Sequence, residues 1–242
     1  MEKTVIQQEF DELAREYESN RLSGWYQAHG AEILDACPDL EEGDILDIGC
    51  GTGHFLRQYL KKNPSVRGVG LDMSASMVNE ARRLAEAENI TNVSYMTGDW
   101  ELIDIEDLGA YNFRIIVCAN TFHYFANPQA AIAKIHHLLA KDGFLYTLER
   151  DKSRSLLTSF WGFLHSTWIK DHVIFYSGND LIRLFENAGF TGISVIRSIR
   201  RYFWKKKLFT SIVLLECHKK TLRQNHDQSD ITGRKAESGA SR

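Results

Sequence analysis

The sequence predicts an α/β protein with a doubly wound sheet of seven strands, mostly parallel, and helices on both faces. A glycine-rich turn at residues 49–53 follows a short apolar run and precedes a helical stretch, which is how a βαβ unit begins. Short apolar runs then alternate with helical stretches as far as residue 189. Two long strand-like stretches follow with no helix between them, so we expect a terminal hairpin whose last strand is antiparallel.

Composition limits the class of protein. The chain has 242 residues, 43% of them hydrophobic, which is enough for one sizeable core. Its net charge of −3 gives no bulk attraction to nucleic acid or to an anionic membrane, and we expect no nucleic-acid partner. The N-terminus has no apolar signal stretch, and no run approaches the ~18 apolar residues of a membrane span. The cysteines are far apart and form no C-x-x-C pair, which favours reduced thiols in a cytoplasmic protein: Cys37, Cys50, Cys118 and Cys217.

The first 40 residues predict two helices that precede any βαβ unit. Residues 4–18 carry apolar side chains at helical spacing. A second helical stretch covers residues 25–36 and ends before Pro38. Tyr17 lies on the first stretch, where its ring can dock the helix and its hydroxyl offers a polar tip.

The stretch at residues 44–55 reads DILDIGCGTGHF and combines a strand, a glycine turn and the start of a helix. Bare backbone in such a turn lets a ligand approach closely, and the N–H groups at the start of the helix point toward it. The spacing is G-x-G-x-G, with Asp47 two residues before the first glycine. A dinucleotide fingerprint would need G-x-G-x-x-G/A, and position 54 is His.

Strands two and three are each followed by a carboxylate. Strand two, at residues 66–71, is followed by Asp72, which lies about 20 residues beyond the glycine turn, where nucleotide-binding α/β folds place the acid that binds ribose. Ser74 can cap the helix at residues 75–88, so Asp72 is not needed for that purpose. Strand three, at residues 92–97, is followed by Gly98 and Asp99.

Strand four, at residues 113–119, is the most continuous apolar run and predicts a central strand. The hexapeptide at residues 120–125 leaves its carboxyl end, where ligands gather in open parallel sheets. We therefore expect this hexapeptide to form the floor of a binding site. A helix at residues 129–139, a turn at residues 141–143 and strand five at residues 144–148 follow.

The last part of the domain contains an aromatic-rich insert at residues 150–177, which predicts either core packing or a substrate pocket. A helix at residues 181–188 begins after Ser177 and ends at Gly189. Two strands at residues 190–200 and 207–217 complete one domain over residues 1–218. Residues 219–242 contain almost no large apolar side chains and predict a disordered tail.

The D-x-G-x-G-x-G pattern, with acids after strands two and three, resembles the class I methyltransferases that use S-adenosylmethionine. The resemblance extends over about residues 10–217 and is nearest to the small-molecule group, type 11, that includes ubiquinone- and menaquinone-pathway enzymes. The segment LLAKDGFL resembles the L-K-P-G-G-x-L turn of that family, with Lys-Asp in place of Pro. No N-P-P-aromatic tetrapeptide follows strand four, which argues against the enzymes that methylate amide or base nitrogens.

This resemblance implies a Rossmann-like sheet, residues 1–40 as a helical cap over the donor, and the insert as a substrate-side element. It implies S-adenosylmethionine as the cofactor and a small acceptor; the aromatic insert favours an aromatic or apolar one. The residues that we expect to bind the cofactor are Tyr17, Asp47, Gly49, Cys50, Gly51, Gly53, Asp72, Met73, Asp99, Trp100 and Ala119. No metal is expected, because His136 and His137 are adjacent and lack ligand spacing.

Four of these assignments keep an alternative. Tyr17 either lies over the donor or only docks its helix. Met73 either lies against the adenine ring or packs in the protein. Asp99 either accepts a hydrogen bond from the adenine amine or serves the turn after Gly98. Trp100 either stacks on the adenine or belongs to the core.

Methyl transfer is an in-line displacement, so its catalysis is mostly alignment. A general base is needed only if the attacking atom carries a proton. His123 is the first candidate, because an imidazole titrates near neutral pH, and a structural histidine is the alternative. Weaker candidates for the base are Tyr124, Glu149, His165, His172 and Tyr176.

Three other classes of protein compete with this interpretation. An NAD-dependent oxidoreductase shares the glycine turn and the acid after strand two, but the glycine spacing and the terminal hairpin count against it. A catalytically silent binding or scaffold protein could keep the same fold. A protein or RNA methyltransferase is a third alternative, and the absence of a long basic stripe counts against RNA. The sequence predicts no oligomeric state.

Overall fold

The computed structural model describes residues 3–18, 23–151, 176–202 and 208–219. Seven strands form one sheet, with bounds β1 (Asp44–Ile48), β2 (Arg67–Asp72), β3 (Val93–Thr97), β4 (Phe113–Ala119), β5 (Leu139–Arg150), β6 (Gly192–Tyr202) and β7 (Leu208–His218). Their order across the sheet is β3-β2-β1-β4-β5-β7-β6. The described helices are α1 (Lys3–Leu13), α2 (Ser23–Ala36), α3 (His54–Lys62), α4 (Ala75–Ala87), α5 (Pro128–Leu138) and α6 (Gly178–Asn187).

The central strands are buried on both faces, which is why they are continuous apolar runs in the sequence. All five residues of β1 are buried. Leu46 and Ile48 belong to one core cluster, which also contains Ile132 of α5 and Phe185 of α6. Ile45 points to the opposite face, into a cluster with residues of α2, α3 and α4. Helices therefore cover both faces of the sheet, as predicted.

The order of the strands reverses between β1 and β4, which are parallel neighbours although β2 and β3 separate them in the chain. Such a reversal leaves a crevice at the carboxyl ends of the strands, and this is where open α/β sheets bind ligands. At the other end of the sheet, β7 pairs antiparallel with both β5 and β6. The prediction of a mostly parallel sheet with an antiparallel last strand is confirmed.

Three of the boundary signals read from the sequence act as expected. Ser74 caps α4 by accepting a hydrogen bond from the Met77 amide at 3.1 Å. Ser177 and Asp180 form a reciprocal capping box at the start of α6. Gly189 follows the end of α6 with a φ of +95°, a conformation that glycine adopts without strain.

Strand five differs from the prediction, because β5 begins at Leu139 and not at residue 144. The turn expected at residues 141–143 is an irregularity within β5, and Asp142 has a left-handed φ of +58°. Its amide donates to the Lys219 carbonyl at 3.0 Å, and the Lys219 amide donates to the Gly143 carbonyl at 3.1 Å. The end of the antiparallel partner thus extends pairing into residues that look like a turn in the sequence.

The first helix is also shorter than predicted, since α1 ends at Leu13 and turns follow through residues 14–18. The aromatic insert falls almost wholly outside the described residues, as does the predicted tail beyond Lys219. All four cysteines are buried and free. Within the described part of the chain, no helix has both the length and the apolar character that crossing a bilayer requires.

Candidate ligand-binding site

A cavity lies at the carboxyl ends of β1, β2 and β4, at the point where the strand order reverses. Ten of the residues expected to bind the cofactor line it: Tyr17, Asp47, Gly49, Cys50, Gly51, Asp72, Met73, Asp99, Trp100 and Ala119. Gly53 and His123 are not among the lining residues. The fold thus collects these residues from five separate parts of the chain into one place.

The three glycines of the turn have left-handed φ angles, but they are glycine for different reasons. A Cβ atom on Gly49 would lie 2.0 Å from the Thr121 Oγ1 atom, and one on Gly53 would lie 2.3 Å from the Tyr95 hydroxyl. These two positions are closed by the packing of the protein itself. A Cβ atom on Gly51 would meet nothing within 4 Å. Gly51 therefore leaves open space in the cavity wall where a ligand can lie against bare backbone.

Asp72 links the end of β2 to the glycine turn. Its Oδ2 atom accepts a hydrogen bond from the Gly51 amide at 2.8 Å, and its Oδ1 atom accepts one from the Ser74 amide at 2.9 Å. Burial raises the pKa of the Asp72 carboxyl, and these two amides partly offset that effect. The carboxylate is thus held in one orientation, with its remaining lone pairs available to a ligand.

Asp47 is a second carboxylate in the same wall. It is only 5% exposed, and none of the described residues donates a hydrogen bond to its side chain. Burial and the negative charge of Asp72 raise the pKa of Asp47 to about 8. Such an arrangement is unfavourable for the protein alone, and it suits a ligand that brings a positive charge.

The loop after β3 contains Asp99 and Trp100, and its contacts are compatible with both a structural role and a ligand-binding role for each residue. Asp99 accepts a hydrogen bond from the Glu101 amide at 3.0 Å, as a turn residue does. The Trp100 ring is buried in the core, and its Nε1–H donates to the Ala131 carbonyl at 3.2 Å. Both residues nevertheless line the cavity, so their contact with a ligand stays a prediction.

This loop is fixed from behind by Lys134 of α5. The ammonium group donates to the Trp100 carbonyl at 2.8 Å and to the Ile103 carbonyl at 2.7 Å. Burial lowers the pKa of Lys134. The lysine thus acts on the main chain of the loop, and it is not among the residues that line the cavity.

The carboxyl end of β4 contributes a strained residue. Asn120 has a φ of +53°, a left-handed conformation that costs a non-glycine residue about 1–2 kcal/mol. Its Nδ2 atom lies 3.3 Å from the Nδ1 atom of His29 on α2, and both residues line the cavity. Such strain is typical of functional sites. The hexapeptide was predicted from the sequence, whereas His29 was missed because nothing local distinguishes it from a helix residue that packs in the core.

His123 lies beside the cavity and pairs with Glu149 of β5. Its Nδ1 atom is 2.8 Å from Glu149 Oε2, and the other carboxylate oxygen accepts a hydrogen bond from the Phe122 amide at 2.8 Å. Glu149 is only 2% exposed. The rings of His123 and Tyr124 lie 4.1 Å apart, and Tyr124 lines the cavity. Two residues that the sequence offered as separate candidates for a base are thus one hydrogen-bonded pair.

The N-terminal segment closes one side of the cavity. Phe10, Tyr17 and Glu18 belong to the lining. Asp11 accepts hydrogen bonds from the Ser74 hydroxyl and from the Ser76 amide, the latter at 3.1 Å. That the first helices cap a bound donor stays a prediction. No cluster of three or more metal-ligating side chains occurs among the described residues.

A family model described as a methyltransferase domain matches residues 15–195. Malonyl-[acyl-carrier protein] O-methyltransferase of Bacillus anthracis is 26% identical over 219 residues, which cover 87% of this chain and 79% of that protein. Demethylmenaquinone methyltransferase of Deinococcus radiodurans is 29% identical over 152 residues, which cover 60% of each chain. The chain spans about half the length of several other curated relatives that it matches.

Solved structures agree on the fold. Magnesium protoporphyrin IX methyltransferase of Synechocystis PCC 6803, solved with bound S-adenosylhomocysteine, has a TM-score of 0.69 at 16% identity and covers 90% of this chain and 100% of that one. The YcgJ protein of Bacillus subtilis has a TM-score of 0.64 at 17% identity and covers 80% of this chain and 99% of that one. At these identities the likeness concerns the fold.

The isolated carboxylate of Asp47 leads to a prediction about stability. Its pKa is about 8 in the folded protein and about 3.9 in an unfolded chain, so the folded state binds more protons between these values. Its contribution therefore makes the folded state less stable as the pH rises from about 4 to about 8. The variant Asp47→Asn removes this contribution, so it should gain stability relative to wild type over that range. Urea unfolding at a series of pH values measures the difference.

The exposed Asp107 provides a control, because Asp107→Asn should follow the pH dependence of wild type. A difference between Asp47→Asn and wild type that did not vary with pH would contradict the raised pKa.

Proposed function

The chain belongs to the methyltransferase-domain family, of the class I S-adenosylmethionine-dependent type, and from that premise we propose that it methylates a small aromatic or apolar acceptor. The observation that carries the methyl-transfer part of the proposal is the open space over Gly51, in a cavity that the carboxylates of Asp47 and Asp72 also line. Bare backbone in a cavity lined by two acids fits a positively charged nucleoside. We therefore take the cavity to be the donor site.

The bound donor would supply a methyl group on a positively charged sulfur. Asp72, already oriented by the Gly51 and Ser74 amides, would accept hydrogen bonds from the two ribose hydroxyls. Asp47 would place a negative charge near the cationic part of the ligand. Asp99 and Trp100 would contact the base at the far end of the cavity, beside the loop that Lys134 fixes.

The acceptor would meet the donor above the residues that leave β4. Asn120, Thr121 and Tyr124 line the cavity there, and they would align the acceptor with the methyl group. For an acceptor that loses a proton, Glu149 would hold His123 through its Nδ1–H and leave Nε2 as the basic atom. Catalysis would then depend on position first and on one base second.

The relatives named for quinones support an aromatic or apolar acceptor, whereas those named for malonyl-[acyl-carrier protein] do not, because a malonyl group carries a carboxylate. Some are named for malonyl-[acyl-carrier protein], demethylmenaquinone and ubiquinone biosynthesis, and these names describe those proteins. The net charge of −3 and the aromatic-rich segment in the sequence favour an uncharged aromatic or apolar molecule over nucleic acid. A donor-release assay across fractionated metabolite extracts, with S-adenosylhomocysteine as the readout, would identify the acceptor.

Donor binding is the direct test of the proposed site. Calorimetry with S-adenosylmethionine should give a Kd in the micromolar range that is common for enzyme substrates. Asp72→Ala should weaken binding by at least roughly 100-fold, because it removes two hydrogen bonds to a charged group, each worth about 1.5–3 kcal/mol. Asp107→Ala, an exposed acid away from the cavity, is the control. Undiminished binding by Asp72→Ala would remove the ribose role, and binding of NADH by wild type would favour the oxidoreductase alternative.

A comparison of alanine variants at Gly51 and Gly189 distinguishes a glycine that faces the ligand from one with a structural role. The variant Gly51→Ala adds a methyl group to the open space, so it should weaken donor binding by about tenfold or more, while the left-handed φ costs about 1–2 kcal/mol of stability. Gly189→Ala, at a positive φ outside the cavity, should lose stability and keep its donor affinity. Equal affinities of the two variants for S-adenosylmethionine would show that no ligand lies over Gly51.

The pair of His123 and Glu149 makes a separate prediction. His123→Ala should keep donor affinity and lower turnover by about 100- to 10,000-fold if the acceptor must lose a proton. Turnover is measured as S-adenosylhomocysteine released with the reactive fraction, and affinity by calorimetry. Loss of donor binding in this variant would instead make His123 a structural or donor-facing residue.

A further inference from the structure

Arg57 is a buried cation close to the donor site. It lies on α3, and its side chain is only 1% exposed. Arginine is almost never fully buried unless its charge is paired, because an unpaired guanidinium in the interior is strongly destabilising. The contacts of Arg57 therefore indicate what the residue does in this fold.

The guanidinium contacts three parts of the chain. One Nη atom donates to the Thr52 carbonyl within the glycine turn. The other donates to Glu18 Oε1 at 2.7 Å, and Nε donates to Glu88 Oε1 at 3.1 Å. A planar fork of this kind holds its partners in fixed relative positions.

Thr52 is held from two directions by these contacts. Its carbonyl accepts from Arg57, and its hydroxyl donates to the same Glu18 oxygen at 2.7 Å. Thr52 and Glu18 both line the cavity, whereas Arg57 lies behind the wall and does not. One buried guanidinium thus joins the glycine turn, which forms one wall, to the N-terminal segment that forms another.

We propose that Arg57 is a positioning residue for the donor, which it serves by holding Glu18 and the glycine turn together around the cavity. This inference rests on the proposed function, because it takes the cavity to be the donor site. It assigns to Arg57 no contact with the donor. Arg57 affects donor binding through the fraction of molecules in which the glycine turn and the N-terminal segment are both in place.

The size of the effect on donor affinity depends on the fraction of molecules in which the N-terminal segment is docked against the cavity. Residues 14–18 carry Tyr17 and Glu18 to the cavity, and their contacts with Thr52 and Arg57 fix that end of the segment. If the binding-competent arrangement becomes a minority state, the apparent affinity falls in proportion to its population. Loss of the Glu18–Arg57 link should therefore weaken donor binding by about tenfold.

Glu88 provides a matched control, because it is the second carboxylate on the same guanidinium. The side chains of Glu18 and Glu88 are 28% and 27% exposed, and removal of either takes one carboxylate from Arg57. Each also has a second partner, since Glu18 accepts from the Thr52 hydroxyl at 2.7 Å and Glu88 pairs with Lys61 at 2.9 Å. Glu88 is not among the residues that line the cavity. Glu18→Ala and Glu88→Ala should lower the unfolding midpoint to a similar extent, and only Glu18→Ala should weaken S-adenosylhomocysteine binding in calorimetry.

Loss of a direct contact between Glu18 and the donor would also weaken binding in Glu18→Ala, and a double-mutant cycle tests whether Arg57 acts through Glu18. Arg57→Lys keeps the charge behind the wall and loses the planar fork, so it should weaken binding although the charge is unchanged. If Arg57 acts through Glu18, the double variant Glu18→Ala/Arg57→Lys should bind as weakly as the weaker single variant. Full additivity of the two effects would overturn the proposal.

Hydrogen exchange supplies a readout that does not depend on affinity. In Arg57→Lys, the amides of residues 15–18 and 51–53 should exchange faster than in wild type, and Glu88→Ala should leave them unchanged. If the wild type binds the donor and Arg57→Lys binds it equally well, this inference is overturned and the proposed function is not. A wild-type protein that binds neither S-adenosylmethionine nor S-adenosylhomocysteine overturns the proposed function, and this inference with it.

Discussion

The hydrogen bond from the Gly51 amide to the Asp72 carboxylate connects the turn after β1 to the end of β2, and the rest of the site is arranged around it. It holds the main chain at Gly51, which carries no side chain, against the Asp72 carboxylate at the end of β2. The neighbouring strands can supply this geometry only because their carboxyl ends meet at the reversal of strand order. The cap, the loop after β3 and the hexapeptide after β4 then enclose the same point.

Charge is distributed in a consistent way around the cavity. Among the described residues that line it, acids are present and neither lysine nor arginine occurs. The nearby cations lie behind the wall, where Arg57 and Lys134 bind main-chain carbonyls. Acidic side chains therefore face the cavity, while basic side chains organise the loops from behind. Burial and the charge of Asp72 raise the pKa of Asp47 and make its ionised form unfavourable for the fold, which is the relation between stability and function expected of a pre-organised site.

Local signals in the sequence were sufficient for most of the fold. The bounds of β4 match the prediction, because a buried parallel strand is an apolar run that ends at polar residues. Ser74 and Ser177 mark helix starts through bonds that span only three residues. The early start of β5 was not predictable in this way, because it depends on the pairing of Leu139 with Phe113 of β4 and on hydrogen bonds of Asp142 and Gly143 with Lys219, just beyond β7.

The same contrast between local and long-range signals applies to the residues of the candidate site. The acids at strand ends are visible in the sequence, since the topology places them together. The distinction between Gly51 and Gly53 was not visible, because it depends on Tyr95, which comes from another strand. His29 and Arg57 were missed as well, since their partners lie 91 and 39 residues away, respectively, in the chain.

The position of β7 between β5 and β6 has a consequence for biosynthesis. Until residues 208–218 leave the ribosome, β5 has no neighbour on one side, and its free edge is open to pairing with another nascent chain. Closure of the sheet therefore waits for nearly the whole domain to be translated, and this late, long-range step exposes the growing polypeptide to aggregation.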